Sequence, residues 1–166
     1  MKHLILLRHA KSSWKDPSLD DFDRPLNKRG KENAPLMGQR LAAMGERPQI
    51  ILASPAMRAR KTAYLVAPAL NCSDEMITFV PNIYEADVTT LLNIIQDLRD
   101  IWQTVILVGH NPGLTELANQ LAPCGLANVV TCGAVKLEFK CSRWKEIKLN
   151  SGVMLYYEYP KKASQI

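Results

Sequence analysis

Two histidines and two arginines of this 166-residue chain stand where each could meet an anion. Arg8 and His9 follow the apolar run Leu4-Ile5-Leu6-Leu7. Arg58 follows Ile50-Ile51-Leu52 and the turn Ala53-Ser54-Pro55-Ala56-Met57, while His110 follows Val105-Ile106-Leu107-Val108-Gly109 and leads into Asn111-Pro112-Gly113. A guanidinium offers a planar fork that matches phosphate oxygens, where an ammonium acts as a point charge. A neutral imidazole keeps a lone pair on one nitrogen and is a competent phosphoryl acceptor. Gly109 lets the backbone approach closely, and a helix start at Asn111-Pro112 favours negative charge. Each residue alone has a plainer explanation. Arg8-His9 could close a strand with two surface side chains, Arg58 could pair on the surface beside Arg60 and Lys61, and His110 could bond to a backbone carbonyl. Together they point to a phosphate site, provided the fold gathers them.

The elements that would do so are legible. Short apolar runs bounded by turn residues have the pattern of parallel strands covered on both faces. In open α/β sheets, ligands bind outside the carboxyl ends of such strands. Strand and helix signals alternate, so the expected fold is a three-layer α/β/α domain with a mostly parallel central sheet. It would span residues 1–160, with a tail at 161–166. His3 reads as a half-buried strand residue. After the first strand comes a long polar stretch, residues 11–24, with Trp14, Pro17 and the acidic run Asp20-Asp21-Phe22-Asp23. Loops of that length beside a sheet's carboxyl edge are often functional. Ala34, Met37, Leu41 and Met44 have helical spacing and Gly45 is a natural stop, but Pro35 conflicts with a helix starting at Asn27. A break near Asn33 is therefore expected.

Ser54-Pro55 reads as N-cap and first helical residue, with Ala59, Ala63, Val66 and Leu70 as the buried stripe; Arg58 then falls on the first turn. Residues 77–80 are a third strand. Val88, Leu91, Ile95, Leu98 and Trp102 mark another helix, capped by Asp87. Asn111-Pro112 again reads as cap and first residue. Residues 133–159 alternate like antiparallel or edge strands, at Val135, Leu137, Phe139, Ile147, Leu149, Val153, Leu155 and Tyr157.

Bulk composition narrows the classes. The length suits one domain with a core of its own, and 47% hydrophobic with 22% charged residues is ordinary for a soluble protein. A net charge of +5 fits a solvated surface or an electropositive mouth that draws phosphorylated ligands. Lys and Arg are scattered, without aromatic interleaving, which argues against nucleic acid. Cys72, Cys124, Cys132 and Cys141 form no C-x-x-C pair and no zinc-like spacing, so free thiols in a reducing compartment are expected. The first apolar run is too short for a signal peptide or a membrane span. A cytoplasmic protein with no membrane partner is the expectation.

The motifs Arg8-His9, Ser54-Pro55-Ala56-Met57-Arg58-Ala59 with Thr62-Ala63, and Gly109-His110-Asn111-Pro112-Gly113 resemble those of the histidine phosphatase (phosphoglycerate mutase-like) superfamily. Arg8-His9-Ala10-Lys11-Ser12 and the compact length are most similar to the SixA-type phosphohistidine phosphatases. The resemblance implies that His9 is a nucleophile forming a transient phosphohistidine. It implies that Arg8, Arg58 and a protonated His110 bind the phosphoryl oxygens, so that no metal and no cofactor is required. The resemblance also points to Glu85, in Tyr84-Glu85-Ala86-Asp87, as proton donor to the leaving group; the alternative is a carboxylate stabilising the next helix. Lys11 and Ser12 are either secondary phosphate contacts or simply solvent-exposed. Ala10 replaces the common Gly of the first motif, which is tolerable at negative φ. Lys15 stands where mutase-like members carry Asn, so no role is carried over to it.

The elements expected between Arg58 and His110 leave no room for the helical lid of larger mutase-like relatives. An open, shallow site suits a phosphate displayed on a protein, since small ligands usually need a concave pocket. The expected partners are therefore phosphate and a phosphorylated protein, such as a His-containing phosphotransfer domain, acted on by a monomer. A phosphomonoesterase for a small metabolite and a non-catalytic phosphate-binding module are the alternatives.

Overall fold

In the computed structural model, which describes residues 1–162, the apolar runs become the interior of one sheet. Its strands are β1 (Lys2–Arg8), β2 (Ile50–Ala53), β3 (Ile77–Phe79), β4 (Thr104–Gly109), β5 (Ala134–Phe139) and β6 (Gly152–Glu158). Their order is β3-β2-β4-β1-β5-β6. The first four strands are mutually parallel, and β5 runs antiparallel to both β1 and β6. Side chains alternate between the two faces. Leu4, Leu6, Val105 and Leu107 join one buried cluster, and Ile5, Leu7, Ile106 and Val108 join the other. Each face is covered. Helices α1 (Lys28–Ala43) and α2 (Met57–Val66) bury Met37, Leu41, Ala63 and Val66 on one side. Helices α3 (Val88–Gln96) and α4 (Gly113–Leu121) bury Leu91, Ile95, Leu114 and Leu117 on the other. This is the three-layer α/β/α arrangement, and it explains why the central strands carry unbroken apolar runs.

Register brings the motif-bearing ends level. Arg8 of β1 pairs with Gly109 of β4, and Ala53 of β2 pairs with Val108. The next residues continue the ladder, His9 N–H donating to Gly109 O (3.1 Å) and Ser54 N–H to Val108 O (3.0 Å). The chain between Arg58 and His110 is used up by α2, β3, α3, β4 and their turns, with no inserted subdomain.

Several local expectations change. No break occurs at Asn33: α1 is continuous through Pro35 and capped by the Asn27 side chain, which accepts from Gly30 N–H (2.8 Å). Pro35 removes one bond to the carbonyl of Lys31, an exposed residue where water can take over, and the buried stripe keeps the helix together. The cap position of α2 is Ala56, not Ser54. Ser54 is fully buried at the strand end, and its hydroxyl is used elsewhere. Asn111-Pro112 is likewise shifted, Pro112 being the cap position of α4, while Asn111 Oδ1 accepts from Thr115 N–H (3.2 Å). Helix α3 stops at Gln96, and Leu98 and Trp102 pack on the same cluster from the following turns. The third strand ends at Phe79, one residue early. Ile147 and Leu149 lie in no strand. They follow a 3-10 turn at Trp144–Glu146 that is pinned beneath the sheet by Trp144 Nε1–H donating to Trp102 O (2.9 Å). Residues 163–166 of the expected tail lie outside the described residues. No helix among the described residues is long and apolar enough to cross a membrane.

Gly30 seats α1 on the chain that leaves β1. A Cβ there would lie 2.2 Å from the carbonyl oxygen of Lys11 and 3.0 Å from its nitrogen. Overpacking of this kind costs about 1–3 kcal/mol. Gly30→Ala should lower the urea midpoint accordingly, with the slope unchanged; an unchanged midpoint would show that the Lys11 backbone yields freely.

Candidate active site

His9 begins the site, immediately beyond β1 and 7% exposed. Its Nδ1–H donates to the carbonyl of Ala10 at 2.7 Å, which leaves the lone pair on Nε2. Burial pushes its pKa down to about 3, and the charges of His110, Arg58 and Arg8 act in the same direction against the Ala10 bond. At neutral pH it is an unprotonated acceptor. Ala10 has no positive φ, so its Cβ is tolerated in place of Gly. Its N–H donates to Thr62 Oγ1 (2.9 Å), and the Thr62 hydroxyl donates to Arg58 O (2.6 Å), tying the end of β1 to the first turn of α2.

Two guanidinium groups flank this imidazole. Arg8 donates from Nη1 to Val129 O (3.0 Å), and Arg58 donates from Nη1 to Asp21 O (2.7 Å) and from Nη2 to Asp21 Oδ2 (3.0 Å). Each keeps a buried Nε without a protein partner. Desolvation lowers the pKa of Arg8 from its ordinary value, but a guanidinium remains charged at neutral pH.

His110 lies 5.1 Å from His9, ring centre to ring centre. Its Nε2 meets Ser54 Oγ at 2.7 Å, and its buried Nδ1 has no protein partner. Ser54 Oγ also accepts from Ala56 N–H (3.2 Å), and a hydroxyl can both accept there and donate its own proton to His110 Nε2. With Ser54 as donor, the ring proton sits on Nδ1. Burial, with Arg58 and Arg8, pushes the His110 pKa down to about 4, against the pull of Asp21. The expected imidazolium is therefore a neutral imidazole in the free site, because burial, together with two nearby guanidinium groups, disfavours the cation. It still offers one N–H donor.

Arg8, His9, Arg58 and His110 line one cavity of about 490 Å³ at the carboxyl edge of the sheet. Lys11 and Ser12 line it too: Lys11 is exposed, whereas Ser12 Oγ accepts from Arg24 Nη1 (2.9 Å). Glu85 does not line it. That residue is exposed with φ 58°, and its neighbour Tyr84 packs edge-on to His110 at 5.5 Å. Asp87 caps α3 by accepting from Thr90 N–H (2.9 Å). Among the described residues, no group of three or more His, Cys, Asp or Glu is placed to hold a metal ion.

Sequence reasoning missed the cavity wall. The loop after β1 lines the cavity with Trp14 and Arg24, and Asp21 braces Arg24 and Arg58, so the crevice is walled rather than bare. Asp21 accepts from Tyr84 Oη (2.6 Å) as well as from Arg58, and these bonds push its carboxyl down to about 2. The sequence places the acidic run in a long loop at the sheet edge but gives Asp21 and Arg24 no individual role. The one available signal was the loop's length at that sheet edge.

A buried acceptor imidazole, two guanidinium groups and one imidazole N–H around a single cavity can hold a tetrahedral oxyanion against a nucleophile. The sequence profile of the histidine phosphatase superfamily (branch 1) matches residues 4–106. An uncharacterised chloroplastic protein of Arabidopsis thaliana is 38% identical over 160 residues, covering 91% of this chain and 72% of the relative. A solved structure from Agrobacterium tumefaciens, assigned as the phosphohistidine phosphatase SixA, superposes with a TM-score of 0.81 at 29% identity, covering 96% of this chain and 98% of that one. The protein histidine phosphatase SixA complexed with tungstate superposes at 0.79 with 20% identity, covering 95% and 97%.

Proposed function

Since the chain belongs to the histidine phosphatase superfamily, we propose that it hydrolyses phosphohistidine on a protein through a covalent intermediate at His9. One observation carries this reading: a neutral His9, with Nδ1 committed to Ala10, faces a cavity where Arg8 Nε, Arg58 Nε and His110 Nδ1 are buried without protein partners. Nε2 attacks phosphorus as the bond to the substrate's nitrogen breaks, and that nitrogen takes a proton. Arg8, Arg58 and the His110 N–H hold the three equatorial oxygens, where charge is largest in the transition state. Water then attacks in line, the Nε2–P bond breaks, and phosphate leaves with His9 neutral again. Glu85 is the proposed proton donor, and no metal or cofactor enters the scheme. Lys11 and Ser12 are proposed as secondary phosphate contacts.

The lack of an inserted lid between Arg58 and His110 supports a protein substrate, with a His-containing phosphotransfer domain as the simplest partner of a monomeric enzyme. Four unpaired cysteines support a cytoplasmic, reducing setting. The cavity volume supports a second reading, a small phosphorylated metabolite, since such ligands occupy pockets of roughly 300–1,000 Å³. Turnover of a phosphohistidine protein should exceed that of a panel of small phosphomonoesters, and a strong preference for one sugar phosphate would favour the metabolite instead. Glu85→Gln belongs in the same assay: if Glu85 donates the proton, turnover falls by about 10²–10⁴.

A further inference from the structure

Trp14 is the most exposed large apolar side chain among the described residues, at 76%, yet it lines the catalytic cavity. It is not loose. The Arg24 guanidinium carbon lies 3.4 Å from the ring centre, so one indole face is covered by a cation. Arg24 is itself 7% exposed and held by Ser12 Oγ (2.9 Å), Asp21 Oδ1 (3.2 Å) and Ser13 O (3.3 Å). Asp21 in turn grips Arg58. The indole therefore rests on a fixed floor that is bonded, through one carboxylate, to a phosphate-holding arginine.

An aromatic ring held this way is a pre-organised stacking surface. Holding it costs little further entropy on binding, and a flat π-system laid against it gains contact without needing a particular hydrogen-bond pattern. We propose that Trp14, backed by Arg24, is the platform for the leaving group, and that it takes the planar imidazole bonded to phosphorus in a phosphohistidine substrate. This rests on the phosphatase reading above and adds a specificity determinant to it. A platform outside the clamp of Arg8, Arg58 and His110 distinguishes substrates by what carries the phosphoryl group, not by the phosphoryl group itself.

Kinetics of wild type, Trp14→Ala and Trp14→Phe on a phosphohistidine peptide and on phosphoramidate test this. Phosphoramidate has the same kind of N–P bond and no ring. Trp14→Ala should lower kcat/KM on the peptide by roughly three- to tenfold, mainly through KM, and Trp14→Phe should recover most of it. On phosphoramidate, both variants should match wild type, as should the yield of trapped phosphoenzyme. Equal losses on both substrates would overturn the proposal by making Trp14 only a prop for Arg24, and no loss on the peptide would overturn it outright. If wild type turns over neither substrate and traps no phosphoryl group, the phosphatase reading fails and the platform with it.

Discussion

His9→Ala abolishes the acid-labile phosphoenzyme and lowers kcat by about 10⁴-fold or more, as expected for deleting a covalent nucleophile. Phosphate binding should survive, because Arg8, Arg58 and His110 hang from other atoms: Val129 O, Asp21 and Ser54. Rapid-quench trapping of labelled phosphate checks the first outcome and equilibrium binding of inorganic phosphate the second. A variant that binds phosphate but traps none has lost chemistry alone. If wild type binds phosphate and never traps it, the covalent mechanism is wrong and a binding module remains. The same residue sets the acid limb. An ordinary imidazole, with pKa near 6.5, is mostly protonated at pH 5 and could not attack. His9, pushed down to about 3, stays in its acceptor form there, and His110, at about 4, stays largely neutral. After correction for the substrate's own ionisation, kcat/KM should show no fall from pH 7 to pH 5. A fall with a midpoint near 6.5 would mean that the free enzyme's His9 is far better hydrated than its burial implies.

Arg58→Ala should cost about 10²–10³ in kcat/KM, the range seen when one donor to a developing anion is removed. The loss has two physical parts. One is the missing donor. The other is Asp21, whose carboxylate, ionised down to about pH 2, loses one of its two cations and, with only Arg24 and the Tyr84 hydroxyl left on it, repels the incoming phosphate more strongly. Arg58→Ala with Asp21→Asn should therefore recover part of the loss, an interaction that a double-mutant cycle measures directly. Strict additivity would show that Asp21 does not feel the bound phosphate. Arg58→Lys should recover little. A lysine cannot span the Asp21 carbonyl, the Asp21 carboxylate and a phosphate oxygen at once, because it is a point charge without the planar fork.

The polypeptide's own pattern determined the strand ends. Buried parallel strands need short apolar runs, and turn residues must follow them, so the places where β1, β2 and β4 stop were readable, and with them Arg8, His9, Arg58 and His110 at one sheet edge. Asp87 as a cap was equally readable, since capping is settled within four residues. Pro35 was misjudged because a proline's cost depends on whether its orphaned carbonyl meets water, which is a property of the folded surface. Tertiary structure alone decided what state the site residues are in. Asp21 stands 37 residues from the Arg58 it holds, and Ser54 stands 56 from the His110 it orients. Periodicity carries no trace of such pairs. The neutrality of both imidazoles, the Ser54–His110 bond and the Trp14–Arg24 wall all follow from desolvation and contacts assembled across the chain. Local sequence sets where a side chain leaves the backbone; its protonation and its partners are set by what folding packs around it.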